Sequence, residues 1–295
     1  MVVGEKPNEK SQLTIKSMIP SNLMEALFIF KSRMLHRAAI GILLLCAACV
    51  HAETPATAPP TTAPAATTAP AVLKVVEPAD VASVYHPTGE RHERGMLERF
   101  RKQIANDKKI ELLFIGDSIT WGWIKAPEVW NQYYGKWDAA NFGDGGAYTQ
   151  HVLWCVENEN LEEIDPKVTV LLIGINNIYH GTNYTPEQVA GGIKKIVDTI
   201  HQKMPKTKVL LLGLFPYYRG KDSARPRNDA AAVNAIIKKF DDGSKTRYLE
   251  LWNKFLQPDG NGVSIDVMSD GLHPTPKGYQ IWAEAMQPLL TEMMK

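Results

Sequence analysis

Five short apolar segments that alternate with helical patterns constrain the fold of this chain more than any other feature. They lie at residues 112–115, 137–142, 168–173, 208–215 and 246–252. Apolar runs of this length are typical of buried strands, and several of these runs require cover on both faces. Strands that alternate with helices predict a parallel sheet between helical layers, with the carboxyl ends of the strands at one edge.

Helices are predicted to supply those layers. They are expected over residues 90–108, 148–156, 185–203, 228–240 and 275–294. The apolar stripe is clearest in 185–203, where Thr185 and Pro186 provide an N-cap and a proline at the first helical position. The chain contains no visible internal repeat, so we expect one α/β domain.

The first part of the chain has the features of a secretory signal. Basic residues precede an apolar run over residues 38–50. Val50, at its end, and Ala52 are the small residues of an A-x-A-like cleavage pattern. We therefore predict a signal peptide within residues 1–52, and the run is too short to span a bilayer comfortably. Met34 is a natural start, in which case residues 1–33 are an upstream extension.

Residues 53–72 repeat threonine, alanine and proline, a composition that predicts an extended linker rather than a packed core. The folded domain is expected over residues 73–295. A lipoprotein with an acylated Cys49 is the weaker alternative, because Cys46 occupies the position where a leucine is expected. The expected location is secreted or periplasmic, without stable membrane insertion after signal cleavage.

Charge and motif content exclude several functions. Lys and Arg number 33 against 32 Asp and Glu, and no basic stripe or RNA-binding motif is present, so nucleic-acid binding has no support. The Cys46-Ala-Ala-Cys49 pair lies in the apolar run, which argues against a redox site. After cleavage of the signal peptide, Cys155 would be the one cysteine left. Walker A, His-Glu-x-x-His and Gly-x-Ser-x-Gly motifs are absent.

Polar residues that can carry chemistry follow several of the predicted strands. Ser118 follows the first strand, a glycine cluster at 143–146 follows the second, and Asn176 follows the third. Asp270 and His273 precede the last helix, and we expect all of these at one edge of the sheet. A serine needs a base to take its proton, a histidine serves near neutral pH, and a carboxylate orients that histidine.

A tetrahedral intermediate also needs hydrogen-bond donors for its oxyanion. The backbone N–H groups of Ser118 and Gly146 and the side-chain amide of Asn176 are the predicted donors. Ser118, His273 and Asp270 would then act as nucleophile, base and orienting carboxylate in acyl transfer, with no metal or cofactor.

The ordered motifs resemble those of the SGNH (GDSL) hydrolases, and most of all the catalytic subunits of intracellular brain-type platelet-activating-factor acetylhydrolase. The likeness covers roughly residues 91–291 and is carried by Gly-Asp-Ser-Ile-Thr at 116–120, Asn-Phe-Gly-x-Gly-Gly at 141–146, Thr-Gln-His-Val-Leu-Trp at 149–154, Gly-x-Asn-Asn at 174–177 and Asp-x-x-His at 270–273. The resemblance implies a flavodoxin-like three-layer α/β/α sandwich with a five-stranded parallel sheet. It implies the same roles for Ser118, His273 and Asp270.

Positions near the motifs provide tentative substrate contacts: Asp117, Trp121, Trp123, Tyr148 and Leu272. The two tryptophans could instead pack the following helix. His151 is expected to be structural rather than a second base, and Asp144 to cap the next helix. Asn177 could be a turn residue bonded to its own backbone.

These observations predict a secreted serine esterase that removes short acyl groups, chiefly acetyl, from acetylated carbohydrates through an acyl-Ser118 intermediate. The alternative within enzymes is a phospholipid-type acetylhydrolase or a small-ester lipase. A non-catalytic carbohydrate-binding module is the alternative from another class. The expected partner is a small-molecule or carbohydrate ester.

Overall fold

The computed structural model describes residues 78–81, 101–102, 105, 109–159, 161–179, 184–220 and 223–295. All of them belong to the compact unit Pro70–Lys295. The predicted signal peptide and linker lie outside the described residues, as does nearly all of the predicted helix over 90–108. None of the described helices has the length and apolar character needed to cross a membrane.

Five parallel strands form the sheet, in the order β2-β1-β3-β4-β5. The strands are β1 (Leu112–Gly116), β2 (Ala139–Gly143), β3 (Val168–Leu172), β4 (Lys208–Leu212) and β5 (Thr246–Leu249). Every residue of β1 and β3 is buried, as expected for strands covered on both faces. The predicted five-stranded parallel sheet and α/β fold are confirmed, and this strand order is that of flavodoxin-like folds.

Eight helices connect and cover the described strands. They are α1 (Ser118–Trp121), α2 (Pro127–Tyr134), α3 (Thr149–Asn158), α4 (Ile175–Tyr179), α5 (Pro186–Lys203), α6 (Ala224–Ile237), α7 (Trp252–Phe255) and α8 (Pro276–Met293). Helix α5 packs against α3 and α6, whereas α2 packs against α8. Right-handed crossovers put these two groups on opposite faces of the sheet.

The longer helices match the sequence-based predictions to within a few residues. In α5, the Thr185 hydroxyl accepts the Gln188 N–H at 3.3 Å and Pro186 opens the helix, which confirms the predicted start. Helices α1, α2, α4 and α7 were not predicted, because one or two turns are too short to establish an apolar periodicity.

A short segment before the sheet packs against two helices. Ala79 is buried, and its carbonyl oxygen accepts the Thr149 hydroxyl of α3 at 2.7 Å. Gly192 of α5 faces the same segment, since a Cβ built there would lie 2.3 Å from the Ala79 oxygen. A Cβ on the neighbouring Gly191 would meet no atom within 4 Å.

The two adjacent glycines of α5 should therefore respond in opposite directions to the same substitution. Gly191→Ala should raise the free energy of unfolding by up to about 1 kcal/mol, because alanine favours the helix. Gly192→Ala should lower it by about 1–3 kcal/mol, because the new methyl group collides with the Ala79 carbonyl. Urea unfolding of the two variants measures both effects, and equal stabilisation would contradict the described packing of Ala79.

Candidate active site

Ser118 lies at the point where the buried strand β1 ends. Asp117 is extended and Ser118 is the first residue of α1, with the Trp121 N–H closing the turn on the Asp117 carbonyl at 2.8 Å. A Cβ at Gly116 would lie 2.3 Å from the Leu172 oxygen of β3, so only glycine fits there. The close approach of these backbones sets the position of the Ser118 side chain at the carboxyl edge of the sheet.

Asp270 and His273 lie in the loop before α8, and their side chains meet within one turn. Asp270 Oδ1 accepts the N–H groups of Leu272 at 3.1 Å and His273 at 2.8 Å. The other carboxylate oxygen, Oδ2, is 2.8 Å from His273 Nδ1. Gly271 has a φ of 75°, a left-handed conformation that suits glycine in this turn.

The imidazole of His273 lies beside Ser118, although the two residues are 155 positions apart in the sequence. His273 Nε2 is 2.9 Å from the Ser118 hydroxyl oxygen. Burial of Asp270 tends to raise the pKa of its carboxyl group. The hydrogen bonds from His273 and from the Leu272 N–H outweigh that effect and hold the pKa below its ordinary value. An ionised Asp270 favours a proton on Nδ1, which leaves Nε2 as an acceptor for the serine proton.

The predicted oxyanion donors lie on the segments that follow β1, β2 and β3 at the carboxyl edge of the sheet. Asn176, in α4, is 5% exposed, and its amide nitrogen donates one hydrogen to the Ala147 carbonyl at 2.8 Å. That bond fixes the amide and leaves its second hydrogen for another acceptor. Gly146 has a φ of 75°, and the Ser118 N–H is one of the first in its helix, where no intrahelical acceptor exists.

Sequence comparison identifies the family of this chain. The family model of GDSL-like lipases and acylhydrolases matches residues 114–281. The chain belongs to the GDSL-like lipase/acylhydrolase family. The resemblance seen in the sequence motifs is thereby confirmed.

Relatives of this GDSL-family protein include platelet-activating factor acetylhydrolase IB subunit alpha1 of Bos taurus, which is 37% identical over 191 residues. That alignment covers 64% of this chain and 79% of the relative. Subunit alpha2 of Rattus norvegicus is 34% identical over 206 residues, or 70% of this chain and 84% of the relative. With the family match, these relatives identify a carboxylic ester hydrolase.

Solved structures share its fold. A GDSL-like lipase from Bacteroides thetaiotaomicron is similar with a TM-score of 0.55 at 19% identity, covering 66% of this chain and 97% of the other. A member of the lipolytic G-D-S-L family from Veillonella parvula gives a TM-score of 0.51 at 20% identity, over 61% of this chain and 97% of the other.

Four of the five tentative substrate contacts of this GDSL-family hydrolase are wrong as assigned. They are buried, at 0% exposure for Asp117 and Tyr148, 1% for Trp123 and 3% for Leu272. A side chain enclosed to this degree offers no surface to a substrate. Trp121 is 37% exposed and remains the one candidate among them.

Trp123 shows why proximity to the serine was misleading. It lies two residues beyond Trp121 but points into an aromatic cluster. Its ring centroid is 4.6 Å from that of Tyr279, 5.0 Å from Trp282 and 5.3 Å from Tyr134. The packing alternative therefore holds for Trp123, whose side chain joins α8 to the end of α2.

Three residues near the motifs have structural contacts. His151 accepts the Tyr148 N–H through Nδ1 at 3.1 Å at the start of α3, so its predicted structural role is confirmed. The residue at the N-cap is Tyr148, so the prediction that Asp144 caps this helix is wrong. Asn177 accepts the Thr149 N–H at 3.0 Å, which ties α4 to α3.

An arginine that no sequence motif indicated lies beside Asp270. Arg219 follows β4, and its guanidinium is 3.9 Å from Asp270 Oδ2. Functional residues of such sheets are expected after the strands at the carboxyl edge, and Arg219 meets that expectation. Arg219 was not predicted, because a lone arginine after a strand forms no motif. In the described residues, no group of three or more His, Cys, Asp or Glu side chains is arranged to hold a metal ion.

Asp117 is the most strongly perturbed acid beside the serine. Its Oδ1 accepts the Ile119 N–H at 2.9 Å, whereas Oδ2 is buried without a hydrogen-bond partner among the described residues. Burial raises the pKa of the Asp117 carboxyl group from 3.8 to about 7, against the lowering effect of the Ile119 N–H. The folded protein thus holds a proton on Asp117 in mildly acidic solution, where the unfolded chain has lost it.

This raised pKa makes stability depend on pH in a defined direction. Between about pH 4 and pH 7 the folded state binds one more proton than the unfolded state, so stability falls as pH rises and levels off above pH 7. Asp117→Asn keeps an acceptor for the Ile119 N–H but cannot ionise. We expect the variant to gain about 3 kcal/mol relative to wild type between pH 5 and pH 8, measured by urea unfolding.

The comparison needs a matched acid on the surface. Asp198→Asn alters an exposed carboxylate of α5 that pairs with Lys194, and should change little between the two pH values. Any constant cost of the buried amide cancels in the comparison. A free-energy difference between Asp117→Asn and wild type that is the same at pH 5 and pH 8 would contradict the prediction.

Proposed function

We propose that this GDSL acylhydrolase removes short acyl groups, chiefly acetyl, from alcohol esters with Ser118 as nucleophile. The observation that carries the proposal is the continuous hydrogen-bonded line from Ser118 through His273 to Asp270, with distances of 2.9 and 2.8 Å. An unactivated serine hydroxyl is a poor nucleophile, and a histidine at hydrogen-bond distance supplies the missing base.

In the first half-reaction, Ser118 Oγ attacks the ester carbonyl carbon and its proton moves to His273 Nε2. The resulting imidazolium is stabilised by Asp270, which already accepts the Nδ1 proton. The bond from the carbonyl carbon to the alcohol oxygen then breaks, and Nε2 returns the proton to the departing oxygen. Acetylated Ser118 remains, and the alcohol leaves.

In the second half-reaction, water takes the place of the alcohol. His273 Nε2 accepts a proton from the water while the water oxygen attacks the acyl carbon, and Ser118 recovers its proton as acetic acid is released. In both halves the negative carbonyl oxygen would be met by the N–H groups of Ser118 and Gly146 and by the Asn176 amide. Loss of one such donor typically costs about 3 kcal/mol of barrier.

Acetylated carbohydrate is the first alcohol class we propose. Trp121 lies one turn after Ser118 and is 37% exposed, so its indole is available to a sugar ring beside the nucleophile. The predicted signal peptide and the Thr/Pro-rich linker favour a secreted or periplasmic enzyme, where polysaccharide esters are accessible.

A phospholipid-type acetylhydrolase is the second candidate. The observation that favours it is the 37% identity to the alpha1 subunit of platelet-activating factor acetylhydrolase IB. Hydrolysis rates on acetylated xylan, an O-acetylated amino sugar and a 2-acetyl phospholipid separate the two candidates. The carbohydrate proposal fails if only the phospholipid is deacetylated.

A non-catalytic carbohydrate-binding module is the rival from another class. A binding module has no need of the aligned serine, imidazole and carboxylate. Hydrolysis of p-nitrophenyl acetate by the folded protein excludes the binding module. Absence of hydrolysis would favour it.

Removal of the proposed nucleophile should abolish turnover. Ser118→Ala should lower kcat for p-nitrophenyl acetate by at least about 10³-fold, and His273→Ala by a similar factor, because each removes one member of a unit that acts together. Circular dichroism and thermal unfolding should match wild type. The matched control is Ser244→Ala, which changes an exposed serine before β5 and should retain full activity. A Ser118→Ala enzyme within tenfold of wild type would reject the assignment.

Acyl-chain length provides a second test. An enzyme with the proposed preference for acetyl esters should cleave esters of long acyl chains poorly. From p-nitrophenyl acetate to the octanoate, kcat/KM should fall by about tenfold or more. A preference for octanoate would remove the acetylesterase assignment and keep the serine mechanism.

A further inference from the structure

The loop after β4 lies directly against the loop that carries Asp270 and His273. The Tyr218 N–H donates to the Gly271 carbonyl at 2.8 Å. A Cβ on Gly271 would lie 2.6 Å from the Tyr218 carbonyl carbon and 2.9 Å from the Arg219 nitrogen. The backbone of Arg219 is therefore fixed beside the acid and base of the site.

The Arg219 side chain lies between two parts of the site. Its guanidinium is 3.9 Å from Asp270 Oδ2 and 5.8 Å from the centre of the Tyr179 ring. Tyr179 ends α4, the helix that carries Asn176, and its ring also packs against that of the buried Tyr217 at 5.1 Å. Contacts with the Tyr179 ring and the Asp270 carboxylate restrict the guanidinium to this edge of the site.

Most of the hydrogen-bonding capacity of Arg219 is unused. The side chain is 44% exposed, and the 3.9 Å separation from Asp270 is too long for a hydrogen bond. None of its five N–H donors bonds to a residue that the structure describes. Asp270 already accepts three hydrogen bonds from Leu272 and His273, so it has little need of the guanidinium as a partner.

The position of Arg219 corresponds to the alcohol half of an ester. The acyl carbonyl would be held near the proposed donors of Gly146 and Asn176. The alcohol oxygen must leave toward His273 Nε2, which returns the proton to it. Because Arg219 lies beside Asp270, the hydrogen-bond partner of His273, we assign its guanidinium to the alcohol half of the ester.

We propose that Arg219 binds an anionic group on the alcohol, so that this enzyme prefers acetyl esters of alcohols that carry a carboxylate or a phosphate. The proposal rests on the proposed function and deepens it by naming a feature of the substrate. A planar guanidinium with free N–H groups matches the paired oxygens of either anion, and it is less strongly hydrated than an ammonium group.

Two aryl acetates that differ only in charge test this. The wild-type enzyme and Arg219→Gln are assayed with 4-acetoxybenzoate, which is anionic, and with its neutral methyl ester. For the anion, kcat/KM should fall about tenfold in the variant, the size expected for one charge-assisted hydrogen bond. For the neutral ester it should stay within about twofold. Because each ester is compared between wild type and Arg219→Gln, the intrinsic difference in reactivity between the two esters cancels.

Arg227 provides a matched control. Its guanidinium lies over the Tyr218 ring at 4.7 Å, close in sequence but without a contact to Asp270. Arg227→Gln should leave both substrates within about twofold of wild type. Raising the salt concentration to 0.5 M should weaken the preference of the wild type for the anion, since exposed charges are screened.

Three outcomes overturn the proposal. An equal loss on both esters in Arg219→Gln would assign the residue to positioning of Asp270. If Arg227→Gln lowered kcat/KM for the anionic ester as much as Arg219→Gln does, the effect would be due to general surface charge. No loss on either ester would remove Arg219 from the site. Failure of wild type to hydrolyse the neutral methyl ester would instead contradict the proposed function, so the two failures are distinguishable.

The source of the anion is tested with two natural types of ester. An O-acetylated methyl glucuronoside presents a carboxylate on a sugar, and a 2-acetyl-glycerophosphate lipid presents a phosphate. The Arg219→Gln loss should appear on the compound whose anion the enzyme recognises. A loss on neither compound overturns the proposal.

Discussion

The site depends on the register of β1, β2 and β3, whose carboxyl ends are aligned. Gly116 pairs with Gly143 on one side and with Leu172 on the other, so the loops after three strands begin at the same height. No side chain fits at the two glycines, since a Cβ at Gly143 would lie 2.1 Å from the Trp121 nitrogen. Backbones that pack this closely hold the serine, the glycine-rich loop and the asparagine helix at one edge.

Side-chain amides then lock those loops to one another. Asn176 bonds to the Ala147 carbonyl, and Asn177 accepts from the Thr149 N–H and donates to Gln150 at 2.9 Å. Gln150 in turn donates to the Tyr184 hydroxyl at 2.6 Å. All of these groups are buried, where satisfied polar networks favour a single arrangement. The Asn176 amide, a proposed oxyanion donor, is thereby held by buried elements rather than by a free loop.

Two carboxylates close to the serine have opposite electrostatic environments. Asp270 accepts three N–H hydrogen bonds, which hold its pKa below the ordinary range despite partial burial. Asp117 is fully buried with one hydrogen bond, and its pKa rises to about 7. The ionised Asp270 can support an imidazolium in the proposed mechanism, whereas Asp117 adds no second negative charge beside Ser118 in mildly acidic solution. The degree of burial and the number of hydrogen bonds, not residue type, make the difference.

The sequence by itself determined the α/β class, all five strands, the longer helices and the order of the motifs, because apolar periodicity and strand-end residues are local properties. Only the tertiary structure decided which neighbours of the serine face solvent: Trp121 does so in part, and Trp123 is enclosed by distant aromatic rings. It also decided that Arg219 meets Asp270, since that contact joins two loops whose approach depends on strand order and on the packing of Gly271 against Tyr218. Burial and contacts between distant loops depend on how the whole chain packs, so no local sequence pattern predicts them.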